Sequence, residues 1–145
     1  MDKAENILIS VERKYVARML SGSKTIELRR RALRVSIGTM VWIYSTAPHA
    51  LVDAVARVET IVSGPPRNLW ETYKERTGVT REEFDNYFLK TNIGWGVILR
   101  DIQPLRAAVT LTALRRHTRM FHPPQFFMRL QEGCNTLELL QNNFH

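Results

Sequence analysis

Apolar positions along the chain follow two periods, and the periods alternate. Residues 6–11 (Asn6, Ile7, Leu8, Ile9, Ser10, Val11) form a short run rich in β-branched side chains, which predicts a strand. From Glu12 to Leu20, Tyr15, Val16, Met19 and Leu20 sit at helical spacing, and Gly22 stands where a helix C-cap glycine belongs. From Thr25 to Arg31 the period returns to two. Ile26 and Leu28 face one way and Thr25, Glu27 and Arg29 the other, as in a half-buried strand. Met40 to Tyr44 predicts a further strand closed by Ala47-Pro48, and Leu51 to Val62 another, with Val52, Ala54, Ala56 and Val58 alternating against Asp53, Arg57 and Glu59.

Gly64-Pro65-Pro66 breaks the β pattern, and two short helices are expected after it. Asn68 with Glu71 resembles a capping pair, followed by the apolar stripe Leu69, Trp70 and Tyr73. Thr80 with Glu83 forms a capping box, Val79 with Phe84 a hydrophobic staple, and Phe84, Tyr87 and Phe88 the buried face of the second helix. Residues 94–99 return to strand, and Pro104 is expected to end that region. Leu111 to His117 predicts one or two helical turns and Gln125 to Leu130 a final short helix, while the tail from Gly133 has no clear pattern. Consecutive central strands without regular βαβ alternation favour an α+β fold with a mixed sheet, curled toward a barrel, over a doubly wound sheet.

A chain of 145 residues with 44% apolar content is long enough for one domain with a real core, and too apolar for a disordered chain. The most apolar stretch, Val35 to Tyr44, is far short of the roughly 20 residues that span a bilayer. The charged Asp2, Lys3 and Glu5 do not read as a secretory signal, and the single Cys134 cannot pair within the chain. A reducing cytoplasm is the expected compartment, and no membrane association is expected.

Charge sharpens this picture because it is regional. The 21 basic against 14 acidic residues give +7, and most of the excess is arginine. Arg29, Arg30, Arg31 and Arg34 fall within six positions, and Arg100 to Arg129 holds six arginines and one acid. The stretch Glu71 to Asp85 holds five acids. Planar guanidinium groups suit phosphates and stack on bases, so nucleic acid is the expected partner. Arg30, Arg31, Arg34, Arg115, Arg116 and Arg119 are the candidate phosphate contacts, with Arg115 and Arg119 expected on one helical face.

Candidate chemistry concentrates in Gly22-Ser23-Lys24-Thr25-Ile26-Glu27-Leu28-Arg29. A carboxylate between two cations holds both in place, able to grip a polar ligand or assist proton transfer. The plain alternative is a solvated strand face of alternating charges. Trp42 and Tyr44 share a strand face, and Trp95 lies between Gly94 and Gly96, which would leave open space beside its ring. Trp42 and Trp70 suit a core, whereas Trp95 suits base stacking and Tyr44, Ser45 and Thr46 suit ligand hydrogen bonds. The histidines 49, 117, 122 and 145 show no metal-ligand spacing, so neither metal nor cofactor is expected, and His49 suits a solvated loop.

Gly22-x-Lys24-x-x-Glu27-x-Arg29 resembles the GxKxxExR signature of the ASCH domain family, whose members have a PUA-like fold. The resemblance continues through residues 43–48, Leu69-Trp70 and residues 78–84. Pro123-Pro124-Gln125-Phe126 is similar to the PPQ-x-F element of one bacterial and archaeal branch. Four elements in order cover roughly residues 6–130, leaving a tail at 131–145 and a single domain over 1–145. The resemblance implies a β-barrel-like sheet whose GxKxxExR strand lines a cleft.

It also implies RNA binding, regulation or, in some branches, catalysis. In one branch a lysine, a threonine three residues later and a glutamate between two helices hydrolyse acetylated cytidine. Lys24 matches that lysine, but Glu27 replaces the threonine and Thr77 stands near the glutamate position. Glu27 beside Lys24 stabilises the ammonium and makes it a poorer nucleophile. Three readings follow. The first is a single-stranded RNA- or DNA-binding domain with a cationic cleft. The second is an enzyme using that cleft through Lys24, Glu27 and Arg29, as ribonuclease or modified-nucleoside amidohydrolase. The third is a module sensing a small nucleoside-like ligand.

Overall fold

Strand and helix alternate much as the hydrophobic periods predict, up to the last third of the chain. The computed structural model describes residues 4–144; Asp2, Lys3 and His145 lie outside the described residues. The order is β1 (Asn6–Val11), α1 (Arg13–Ser21), β2 (Ile26–Arg29), β3 (Met40–Ser45), β4 (Leu51–Gly64), α2 (Pro66–Tyr73), α3 (Arg81–Tyr87), β5 (Gly94–Thr110), α4 (Leu111–His117), β6 (Phe127–Arg129) and α5 (Asn135–Asn142). The six strands form one curled α+β sheet in the order β2-β5-β4-β3-β1-β6. β1 pairs parallel with β3, and the other neighbours are antiparallel.

Alternation along β1 and β3 divides the core between the two faces. Ile7, Ile9, Val41 and Ile43 pack on one side with Val16 and Met19 of α1. Leu8, Trp42 and Tyr44 pack on the other with Leu114 of α4 and Leu137 and Leu140 of α5. A third cluster joins Ile26, Leu28 and Ile98 to Leu69, Phe84 and Phe88 of α2 and α3. Trp42 is fully buried, its indole N–H donating to Asn6 Oδ1 at 2.9 Å, while Trp70 is only half-buried against Phe84. No described helix is long and apolar enough to cross a membrane.

Several local expectations change. β2 is buried on both faces rather than one. Residues 127–129 form a strand instead of a helix, because Ile7, Leu8 and Ile9 offer a pairing edge. Residues 135–142 form α5, whose apolar side closes the second core, so the region is no loose tail. Pro104 lies inside β5, opposite Ala54 at an irregular register. β2 pairs only with residues 95–98 of β5, so Pro104 sits where the strand's far side is free of a partner. α2 starts at Pro66 behind Pro65, with no side-chain cap from Asn68.

Candidate functional site

Lys24 reaches the interior because three backbone events converge on it. Gly22 adopts φ 89° and ends α1, its N–H donating to the carbonyls of Arg18 and Met19. The Lys24 N–H also donates to Arg18 O, at 3.0 Å, which turns the chain at once into β2. From the far side, Gly78 at φ 62° lays its backbone against the lysine stem. Lys24 is 1% exposed and Glu27 8%. The solvated-face alternative for this strand therefore does not hold.

The Lys24 ammonium donates to the Thr77 carbonyl at 2.7 Å and lies 3.6 Å from Glu27 Oε1. Glu27 Oε2 accepts from Arg29 at 3.2 Å, and the same guanidinium nitrogen donates to Ser10 O at 3.2 Å. Burial pulls the Lys24 pKa below the ordinary lysine value, and the Glu27 charge opposes that shift without cancelling it. These groups floor a cleft of about 200 Å³ walled by Tyr15, Val79, Phe84 and Tyr87. Tyr15 and Tyr87 are both raised above the ordinary phenol pKa, chiefly by burial, so their hydroxyls remain neutral donors near neutral pH.

Glu83 ties the wall together. Its carboxylate accepts from the Thr80 backbone at 2.8 Å, completing the capping box, and from the Tyr15 hydroxyl at 2.9 Å. It also pairs with Lys14 at 3.0 Å and Arg18 at 3.2 Å. The Thr80 N–H, then the Lys14 and other donors, hold it well below the usual carboxylate range. α1 and α3 are thereby clamped across the cleft mouth.

The cleft is not the cationic pocket expected. Lys24 and Arg29 line it, but so do Glu12, Glu27 and Glu83. Its lining thus holds two cations against three carboxylates, and the basic excess lies outside. Arg30, Arg31 and Arg34 are exposed on the loop after β2. Arg115, Arg116 and Arg119 are exposed on the α4 side, across the sheet. α4 ends at His117, so Arg119 lies beyond the helix and shares no helical face with Arg115.

The remaining candidates are dispersed. Tyr44 is buried in the α4–α5 core, away from the cleft, because its strand position alternates with Ile43 and Ser45. Ser45 is buried and accepts from Arg13 at 3.3 Å, and the Thr46 N–H donates to Val11 O at 3.0 Å. Trp95 is half-buried and does not line the cleft. Its flanking glycines leave no open space: a Cβ on Gly94 would meet Phe88 at 2.7 Å, and one on Gly96 would meet Ile26 at 2.5 Å. Thr77 reaches Lys24 through its carbonyl, while its hydroxyl donates to Lys74 O at 3.1 Å. His49, His117 and His122 are exposed, and no metal-holding group of His, Cys, Asp or Glu occurs among the described residues.

Tyr15, Tyr87 and Glu83 line the site but read in the sequence only as helix stripe and cap. The polar tips of the two tyrosines were the available signal. Pro124 was likewise opaque: its carbonyl accepts from Ser10 Oγ at 2.7 Å, which brings Phe126 under Arg29, 5.8 Å from ring centre to guanidinium.

A curled mixed sheet with a helix-walled cleft over a Lys-Glu-Arg strand defines a PUA-like domain. A family model described as a domain of unknown function, DUF365, matches residues 5–127. An ASCH domain-containing ribonuclease from Zymomonas mobilis is 33% identical over 124 residues, covering 86% of this chain and 82% of that protein. The crystal structure of ASCH from Zymomonas mobilis matches with a TM-score of 0.87 at 31% identity over 94% of each chain. The chain belongs to the ASCH domain family. Human THYN1, solved with DNA containing 5-methylcytosine, shares the fold at TM-score 0.54 and 9% identity, covering 98% of this chain and 99% of its own.

Proposed function

We propose that this protein binds single-stranded RNA, seating one base in the cleft and leaving the phosphates outside. The floor of Lys24, Glu27 and Arg29, in which one carboxylate is shared by two cations, carries this reading because it presents both donors and an acceptor. A phosphate entering the cleft would meet Glu12, Glu27 and Glu83 along with the two cations. A neutral base meets donors and acceptors at the floor and two phenol rings at the wall, and a cleft near 200 Å³ suits one base rather than a drug-sized ligand. The exposed Arg30, Arg31 and Arg34 supply the phosphate contacts. The similarity to a protein named as a ribonuclease supports RNA as the nucleic acid.

Binding of a labelled RNA hexamer, followed by anisotropy across a salt titration, tests this. Three phosphate contacts predict a slope of log K against log salt of about −2, at roughly −0.7 per contact on a single strand. A fully abasic hexamer should bind at least tenfold more weakly. A flat salt response, or equal binding of the abasic strand, overturns the reading.

The same relative favours a second reading, in which the cleft also cleaves the strand. A buried lysine with a lowered pKa is a source of proton transfer without metal. Cleavage in EDTA that is lost in Lys24→Ala supports it. Equal cleavage by both proteins identifies a contaminant.

A further inference from the structure

The cleft accounts for one base, and the surplus positive charge stands beside it in an ordered arrangement that the cleft does not use. Arg30 sits over the Tyr87 ring, 4.8 Å from its centre. Arg31 sits over Phe126 at 5.0 Å, sharing that ring with Arg29. Phe126 packs edge-on against Phe127 at 5.1 Å, and Arg129 sits over Phe127 at 5.5 Å. The series starts at the cleft wall, since Tyr87 and Arg29 both line it, and ends at β6.

The loop that carries the arginines is fixed in place. Leu33 is buried in the first core, and the Arg34 carbonyl accepts from Arg129 at 2.6 Å. Arg29 and Arg129 have carboxylate partners in Glu27 and Glu5. Among the described residues, Arg30, Arg31 and Arg34 have no ion pair. Guanidinium planes held against rings keep their N–H edges for phosphates, and their outer faces accept a stacked base. An exposed row of this kind, preorganised and unneutralised, matches a flexible polyanion carrying flat rings.

We propose that the arginine–aromatic row from Tyr87 through Arg30, Arg31 and Phe126 to Phe127 is the track for the RNA strand leaving the cleft. This rests on the reading of the cleft as a nucleic-acid site. The Arg115 patch lies on the other face of the sheet, against the α4–α5 core, and takes no part in the track. The protein therefore requires nucleotides flanking the seated base on the side toward Phe126.

The test removes equal charge from the two patches and measures RNA hexamer binding against salt. Arg30→Ala with Arg31→Ala should reduce the magnitude of the salt slope by about 1.4, two contacts at roughly 0.7 each. Arg116→Ala with Arg119→Ala should leave the slope within 0.3 of wild type. Equal reductions from both pairs would mean a net-charge effect, and would overturn the track while leaving the cleft reading intact. No binding by the wild type would overturn both.

Phe126→Leu keeps apolar bulk, so its melting temperature reports folding, and it should lower hexamer affinity at least fivefold. Wild-type protein cross-linked to 4-thiouridine hexamers gives a readout independent of any variant. Adducts on residues 123–129 support the track; adducts confined to residues 115–119 overturn it.

Discussion

Replacing Glu27 by Gln should cost stability in a way that depends on pH. Glu27 is buried between Lys24 at 3.6 Å and Arg29 at 3.2 Å. Its removal leaves two buried cations facing each other without a counter-charge. Breaking a buried pair costs about 3–5 kcal/mol, and glutamine retains shape and one acceptor, so the low end of about 3 kcal/mol applies. For a chain of this size that is roughly 10 °C in melting temperature at about 3 °C per kcal/mol.

The pH dependence follows from Lys24, whose pKa lies below its ordinary 10.5 because of burial, with Glu27 opposing the shift. Between the folded and unfolded pKa values the unfolded chain binds more protons, so stability rises with pH there. Without Glu27 the folded pKa falls further and that window opens at lower pH. The loss relative to wild type is therefore largest in acid, below the folded Lys24 pKa of the variant, and shrinks as pH rises through it. It does not vanish, because Arg29 stays charged. Thermal unfolding of both proteins across a pH series from about 5 to about 10 measures this. A variant within about 2 °C of wild type throughout, or a loss that grows with pH, refutes the argument.

Two further perturbations probe the walls of the cleft. Gly78→Ala places a Cβ 2.9 Å from Lys24 Cγ at a φ of 62°, and should cost about 2–4 kcal/mol in urea denaturation; a wild-type midpoint would refute the close packing. Glu83→Gln should cost about 1–2 kcal/mol at pH 7 through the weakened capping box. Because the folded Glu83 pKa is depressed, its contribution is present above about 4.5 and is lost as pH falls, so the gap to wild type should close in acid. A gap that does not narrow at all between about pH 5 and about pH 2 would exclude the carboxylate as its source.

Elements with local signals were legible, and those made by distant partners were not. The Gly22 cap and the Thr80–Glu83 box are each written within a few residues, and both stand as expected. The grouping of Lys24, Glu27 and Arg29 was visible too, since all three belong to one short strand and its lead-in. Their burial was not, because Thr77 and Gly78 arrive from 53 and 54 positions away. Residues 125–130 carry an apolar pattern compatible with helix or strand, and only the free edge of β1 decides between them. The glycines beside Trp95 suggest open space in the sequence, whereas Phe88 and Ile26 fill it in the fold. The turn after Tyr44 suggests a place at the cleft, but the pleat of β3 sends the side chain to the opposite core.

The placement of β1 also bears on how the protein survives its own synthesis. This strand waits on a partner far along the chain: among the described residues its second edge is covered by Phe127–Arg129, and the core beyond it by α4 and α5. Closing that pairing joins Ile7 to Arg129 across nearly the whole chain, and such non-local contacts form slowly. A chain that has not yet closed that pairing displays one open edge of a hydrophobic strand, a feature prone to intermolecular pairing. β6 and α5 thus close the sheet and its second core together, and a variant lacking both should be more prone to aggregation and proteolysis.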